Sequence, residues 1–235
     1  MILMQQNLIN EMDEVSRKIE YLVGSATTIN EMRELAAKTP FDNEIIDFLN
    51  TLSKMLMKLP EAKMYPDVIT LAFWMRKSSV MELRKRFMKQ TKDIVLGRGI
   101  AFHIAPSNVP VNYAYSLVTG LLTGNANIVR IPSKEFPQVS IINKAIKSIL
   151  EEYPNVARYI CLVRYERDPN INDLISGIAD IRIIWGGDNT IKEIRKSPLG
   201  ARANDVTFAD RYSLAVIDSE QYLAVDDKER LAEEF

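Results

Sequence analysis

Two textures of apolar patterning divide the chain near residue 93. Over the first 92 residues, apolar positions recur at helical spacing. Leu8, Met12, Val15, Ile19 and Leu22 alternate steps of four and three and fall on one helical stripe. Such a stripe suits a short coiled-coil seam or, with only two heptads, a helix packed on its own domain. Thr28-Ile29-Asn30-Glu31 carries the capping-box pattern and predicts a second helix running toward Lys38. Pro40 breaks it. Asp42 is placed to cap a third helix carrying Ile45, Ile46, Leu49, Leu52 and Leu56, and Pro60 ends that one. Residues 66–90 read as a longer helix bearing Ile69, Phe73, Leu83 and Phe87, with a kink near Ser78-Ser79.

From Ile94 the period changes. Short runs rich in Ile and Val, at 99–105, 127–132, 159–163, 181–185 and 213–217, alternate with helical patterns at 111–122, 138–151, 171–177 and 189–196. A further helix starts at Asp226. Runs apolar at consecutive positions suit strands buried on both faces, as in parallel sheets. The expectation is therefore α/β: a doubly wound, mostly parallel, Rossmann-like sheet of about five strands over residues 93–235. That unit reads as the dinucleotide-binding domain, preceded by a helical N-terminal segment, residues 1–92, packed on its core.

Composition narrows the class of partner. Thirty basic residues against 31 acidic ones leave a net charge of −1, so nothing global calls for nucleic acid or an anionic membrane. The one basic run, Arg84, Lys85, Arg86, Lys89 and Lys92, reads as a solvated helix face rather than a nucleic-acid patch, because no stacking aromatic motif accompanies it. A single cysteine, Cys161, excludes an internal disulfide and suits a reducing cytoplasm. The opening MILMQQNLINEMDEV lacks the basic start of a signal peptide, no run is long enough for a membrane span, and no metal site is expected.

Candidate chemistry concentrates between Gly97 and Pro137, a strand, tight loop, helix, Gly-Asn stop and second strand. After the first strand, Pro106, Ser107 and Asn108 precede Val109-Pro110. Asn108 is placed at the lip of the sheet, its amide free to donate a hydrogen bond, or else it simply caps the helix. The second strand delivers Arg130 to the same edge, followed by Pro132, Ser133 and Lys134. Two cations with a hydroxyl between them suit a phosphate, and loop solubility would explain them equally well. An echo follows at Trp185-Gly186-Gly187-Asp188-Asn189: a strand running through two glycines into a helix, where a ligand can approach the backbone. Asp188 would repel an anion if it pointed inward and is expected to cap that helix.

Together these pieces resemble the aldehyde dehydrogenase superfamily. Pro106-Ser107-Asn108-Val109-Pro110, Gly124-Asn125 and Arg130–Pro132 match that family's Pro-x-Asn-x-Pro turn, its Gly-Asn pair and its strand ending in a cation. HIAPSNVP, LLTGNANIVR, IRIIWGGDNTIKEIR and FADRYSLAVID are more similar to its acyl-CoA reductase branch, the type known from bacterial luminescence. The resemblance runs from about Ala72 to the end of the chain.

It implies a role for each matching position. Asn108 falls on the amide that polarises a thioester carbonyl and stabilises the oxyanion. Arg130 falls on the cation that touches the adenosine ribose, with Pro106 and Ser107 beside the cofactor. Where NAD-preferring relatives often carry a Glu, Ser133 stands here with Lys134 next, which favours the 2′-phosphate of NADPH. Gly186, Gly187 and Asp188 fall in the pyrophosphate turn. His103 is expected to be structural. The position of the hydrolytic general base falls near Thr207, so an acyl-enzyme would be reduced or passed to a thiol rather than hydrolysed.

The family's nucleophilic cysteine falls beyond Phe235, and Cys161 reads as a buried small hydrophobe in a strand. The expected function is thus the cofactor-binding portion of an NADPH-dependent reductase that converts fatty acyl-CoA to fatty aldehyde. The catalytic domain is absent from these residues, and no turnover is expected unless a second polypeptide supplies the thiol. The donor would be acyl-CoA or an acyl-protein, with an acyl-activating enzyme as a candidate partner. The alternative is a non-catalytic nucleotide-binding or partner-docking module of the same family.

Overall fold

Four of the Ile/Val-rich runs become strands at the centre of one sheet in the computed structural model, which describes residues 17–90, 93–211 and 214–234. These are β2 (Ile100–Ile104), β3 (Ala126–Arg130), β4 (Ile160–Arg164) and β5 (Ile181–Trp185). β2 is buried at every position, and β3 and β4 at all but the last, as strands covered on both faces require. Two edge strands complete the sheet, β1 (Glu20–Val23) and β6 (Asn204–Phe208). The order is β1-β4-β3-β2-β5-β6, with every pairing parallel except β1 on β4.

The connections are α5 (Asn112–Leu122) between β2 and β3, α6 (Pro137–Leu150) before β4, α8 (Pro169–Ile178) before β5, and α9 (Asp188–Ile194) before β6. The short α7 (Pro154–Ala157) leads into β4. From β2 the chain steps through β3 to β4 in one direction, whereas from β5 it steps to β6 in the other. Right-handed crossovers therefore put α5 and α6 on one face and α9 on the opposite face. The strand order reverses between β2 and β5, and a crevice forms at the carboxyl ends of strands at such a switch point.

The upstream helices are α1 (Ala26–Met32), α2 (Asn43–Lys58), α3 (Pro66–Trp74) and α4 (Lys77–Gln90). α2 is capped by Asp42, whose carboxylate accepts from the Glu44 and Ile45 amides, and ends before Pro60 as expected. It buries Ile45, Ile46, Leu49, Leu52 and Leu56 and packs against α5 and α6, adding a second helical layer to that face. Beyond the sheet lie α10 (Ser219–Ala224) and α11 (Lys228–Glu234). No helix among the described residues is long and apolar enough to cross a membrane.

Four local expectations are corrected. Ile19 and Leu22 do not continue a helical stripe: Leu22 lies in β1, because its neighbours pair with β4, while Leu8, Met12 and Val15 lie outside the described residues. The capping box at the start of α1 is Ser25 with Thr28, one turn earlier than Thr28 with Glu31. The break between α3 and α4 falls at Met75-Arg76, ahead of Ser78-Ser79. The sixth strand is 204–208 and not 213–217; Leu214 and Val216 are exposed and no described strand pairs with them.

Candidate functional site

Tight packing at the amino end of β3 sets the strand whose carboxyl end carries part of the site. α5 ends at Gly124, held at φ +85, where the Gly124 carbonyl accepts from Lys38 and a side chain would collide with the Lys38 carbonyl. This turn feeds β3 directly alongside β2. The loops after β2, β3, β4, β5 and β6 then surround one cleft of about 1280 Å³ at the β2/β5 switch point.

Of the expected site residues, the cleft brings together Pro106, Ser107 and Asn108 from the first loop, Arg130, Ser133 and Lys134 from the second, and Gly186 and Gly187 from the fourth. Asp188 is not among them: it is exposed in the first turn of α9 and does not cap it, since Gly187 holds the cap position without any side-chain bond. Asn108 is not a helix cap either. α5 starts at Asn112 behind Val111, three residues too far along, so the Asn108 side chain stays exposed with no hydrogen bond to any described residue. Its amide is available to a ligand.

Arg130 lies along Tyr165, its guanidinium carbon 4.6 Å from the ring centre and Nη2 3.3 Å from the Tyr165 carbonyl. Its Nε is buried with no partner, an unsatisfied charged donor at the cleft wall. Burial raises the Tyr165 phenol well above its ordinary value, against the opposing influence of Arg130, so the ring stays neutral. Lys134 stands 4.9 Å over the Phe136 ring and has no carboxylate partner among the described residues.

Residues outside the sequence expectation also line the cleft. Asn112 has a buried Oδ1 without a donor. Trp185 and Phe208 stack in parallel, 3.9 Å apart with a 9° tilt. The β4 loop adds Glu166, Arg167 and Asp168; Asp168 caps α8 and pairs with Lys18 at 3.1 Å, which holds its carboxyl below the usual value. Asp210 occupies the space that a side chain at Gly187 would fill. Asn112 lay in an apolar helix pattern and carried no signal, whereas Phe208 opened the phrase FADRYSLAVID but fell in an unexpected strand. Trp185 stood in the quoted Ile-Ile-Trp-Gly-Gly phrase and could have been singled out as the one aromatic beside the glycines.

Cys161 sits in the middle of β4, fully buried, its Sγ 3.9 Å from the Ser25 carbonyl. Burial pushes the thiol up to about 12. A thiol that is neither ionised nor accessible is no nucleophile. Thr207, on β6, supplies no carboxylate; its neighbour Asp205 is held by Arg182 and Arg195.

Comparison with known proteins follows this geometry. A family model described as acyl-CoA reductase (LuxC) matches residues 6–234. A long-chain acyl-protein thioester reductase 2 of Photobacterium leiognathi is 28% identical over 128 residues, 53% of this chain. A long-chain acyl-protein thioester reductase of Aliivibrio fischeri is 24% identical over 124 residues, 52% of this chain. Each match covers 26% of the relative's own length. Among solved structures, an aldehyde dehydrogenase variant from Bacillus cereus superposes with a TM-score of 0.51 at 14% identity, over 77% of this chain and 42% of the other. That likeness shows the aldehyde dehydrogenase-like fold.

Proposed function

The chain belongs to the acyl-CoA reductase (LuxC) family, and from that premise we propose that it forms the NADPH-binding part of a reductase that turns a long-chain acyl thioester into the fatty aldehyde. The thioester is an acyl-CoA or an acyl-protein, the latter in keeping with the names of the two curated relatives. One hydride and one proton convert the thioester to aldehyde and free thiol; the nicotinamide cofactor, when bound, supplies the hydride.

The observation that carries this reading is the convergence of three loops on one switch-point cleft: an unpartnered amide at Asn108, cations at Arg130 and Lys134, and the bare turn at Gly186-Gly187. Two observations support a phosphorylated dinucleotide: the buried Nε of Arg130 has no protein partner, and Lys134 has no ion pair among the described residues. In our reading Arg130, Ser133 and Lys134 hold the adenosine 2′-phosphate, Pro106 and Ser107 flank the cofactor, and Gly186-Gly187 admits the pyrophosphate to the backbone. Asn108 donates to the thioester oxygen as charge develops there. Asp188 is exposed and does not line the cleft, and the Asp210 carboxylate stands against Gly187.

The thiol that receives the acyl group comes from outside these 235 residues, because their one cysteine is the buried Cys161. The same burial favours a second reading, a non-catalytic nucleotide-binding or partner-docking module of the family, with an acyl-activating enzyme as the candidate partner.

Calorimetric titration tests the cofactor assignment. NADPH should bind at least tenfold more tightly than NADH, and Arg130→Ala should abolish most of that preference while Arg130→Lys retains part of it. Equal affinities for the two nucleotides would remove the argument from Ser133 and Lys134.

A further inference from the structure

Four side chains outside the proposed chemistry form one continuous hydrogen-bond chain from the sheet interior to the cleft. Asn127 on β3 donates through Nδ2 to the Asn125 carbonyl at 2.7 Å, which turns its Oδ1 toward His103 Nε2 at 3.0 Å. An amide oxygen only accepts, so Nε2 carries the ring proton. Nδ1 of the neutral ring therefore accepts, and its partner is the Ser116 hydroxyl at 2.8 Å. With its proton committed to His103, the Ser116 oxygen accepts from Trp185 Nε1 at 3.2 Å. An indole N–H only donates, so every bond in the chain points consistently. His103, Ser116 and Asn127 are all buried, and Gly120 of α5 lies against Asn127 and His103 where any side chain would collide.

Buried polar chains are costly when a member is unsatisfied, and the indole N–H completes this one by donating to the Ser116 oxygen. What it holds in place is one ring of a parallel aromatic stack. Trp185 stacks on Phe208 with ring centres 3.9 Å apart, both rings line the cleft, and Phe208 is 44% exposed. One face of Phe208 packs on the indole, and the rest of the ring stays open to the cleft.

We propose that the Trp185–Phe208 pair is the stacking surface for the nicotinamide ring, with Ser116 and His103 as positioning residues that lock the indole. The proposal rests on the nicotinamide-cofactor reading above. The position selects this end of the dinucleotide. With the adenosine phosphate on the β3 lip, an extended cofactor crosses β2 and β5 and reaches β6 three strand spacings away, about 14 Å. A planar ring gains from a flat π surface, and a cationic one gains more from its electron-rich face.

The chain has two tryptophans, so Trp74→Phe leaves Trp185 as the sole indole. Its emission is to be followed while NADP⁺ or 2′-phospho-ADP-ribose, which lacks the nicotinamide, is titrated with calorimetry in parallel. At saturation NADP⁺ should quench Trp185 at least twofold more than 2′-phospho-ADP-ribose. In the same background Ser116→Ala should lose most of that difference while keeping its affinity for 2′-phospho-ADP-ribose within about twofold. Calorimetric binding of NADP⁺ with no extra quenching overturns the stacking surface and leaves the cofactor reading standing. Quenching by a long-chain acyl-CoA in place of NADP⁺ overturns it in favour of an acyl site. Unchanged quenching in the Ser116→Ala variant overturns the positioning role. Failure of both nucleotides to bind overturns this proposal together with the cofactor reading.

Discussion

His103 shows how one residue can be read correctly in kind and still be underestimated. As the only histidine, set in a strand, it reads as structural, and it is buried with both ring nitrogens bonded. Burial lowers its pKa from 6.5 to about 4, opposed by the bond to Asn127. Between those values the unfolded chain binds a proton that the native ring refuses. Stability should thus be complete above pH 6.5 and fall as pH drops toward 4, by about 3 kcal/mol for this group. Urea denaturation at pH 7.5, 6, 5 and 4 measures the slope, and His103→Gln, neutral throughout, should flatten it by that amount. An unchanged slope in the variant would assign the acid sensitivity to other groups. At Arg130 the sequence located the cation at the strand's end, whereas its orphaned Nε and its bed on Tyr165 depend on β4, far away in the chain.

At the scale of elements, what the pattern revealed was burial, and what it missed was pairing. β2 to β4 were legible because strands covered on both faces are apolar at successive positions, and β5 because it too is rich in Ile although its burial alternates. β6 was not, since Asn204-Asp205-Val206-Thr207-Phe208 starts polar; it is a strand because it pairs with β5 and because Asp205 takes both Nε and Nη2 of buried Arg182, at 2.7 and 3.0 Å. The run 213–217 made the opposite error, being apolar with no described neighbour to cover it. α5 supplies a test in which two element-level effects compete. Gly120→Ala gains about 1 kcal/mol of helix propensity. Yet the added methyl enters the space of Asn127 Oδ1 and pries α5 from β3, an overpacking cost of about 1–3 kcal/mol, with a further 1–3 for a buried bond left unmade. The close approach should win, and the variant should be destabilised by about 2 kcal/mol in urea. A more stable Gly120→Ala protein would mean that α5 stands further from the sheet.

For the molecule as a whole, the cleft is assembled from loops that the sequence spaces across about a hundred residues, and the doubly wound order alone brings them together. The family resemblance named most of those loops; the β4 loop and the aromatic pair became visible only once strand order placed them at one edge. The same order puts Cys161 on an interior strand, between the edge strand β1 and β3, fully buried and with its thiol pushed up to about 12. Cys161 is fully buried on a strand paired on both sides, so its reaction with a thiol reagent should require global unfolding. A ligand that binds only the native state lowers the unfolded population by 1 + [L]/Kd. NADPH at a hundred times its Kd should therefore slow labelling about a hundredfold, equivalent to about 2.7 kcal/mol. Mass spectrometry after incubation with a long-chain acyl-CoA should find Cys161 unacylated, and these residues alone should oxidise no NADPH when acyl-CoA is added. Labelling that NADPH leaves untouched would show that the sheet opens without unfolding. Acylation at Cys161, with NADPH consumed, would mean that these residues carry their own nucleophile and that the acyl-accepting thiol need not be supplied from elsewhere.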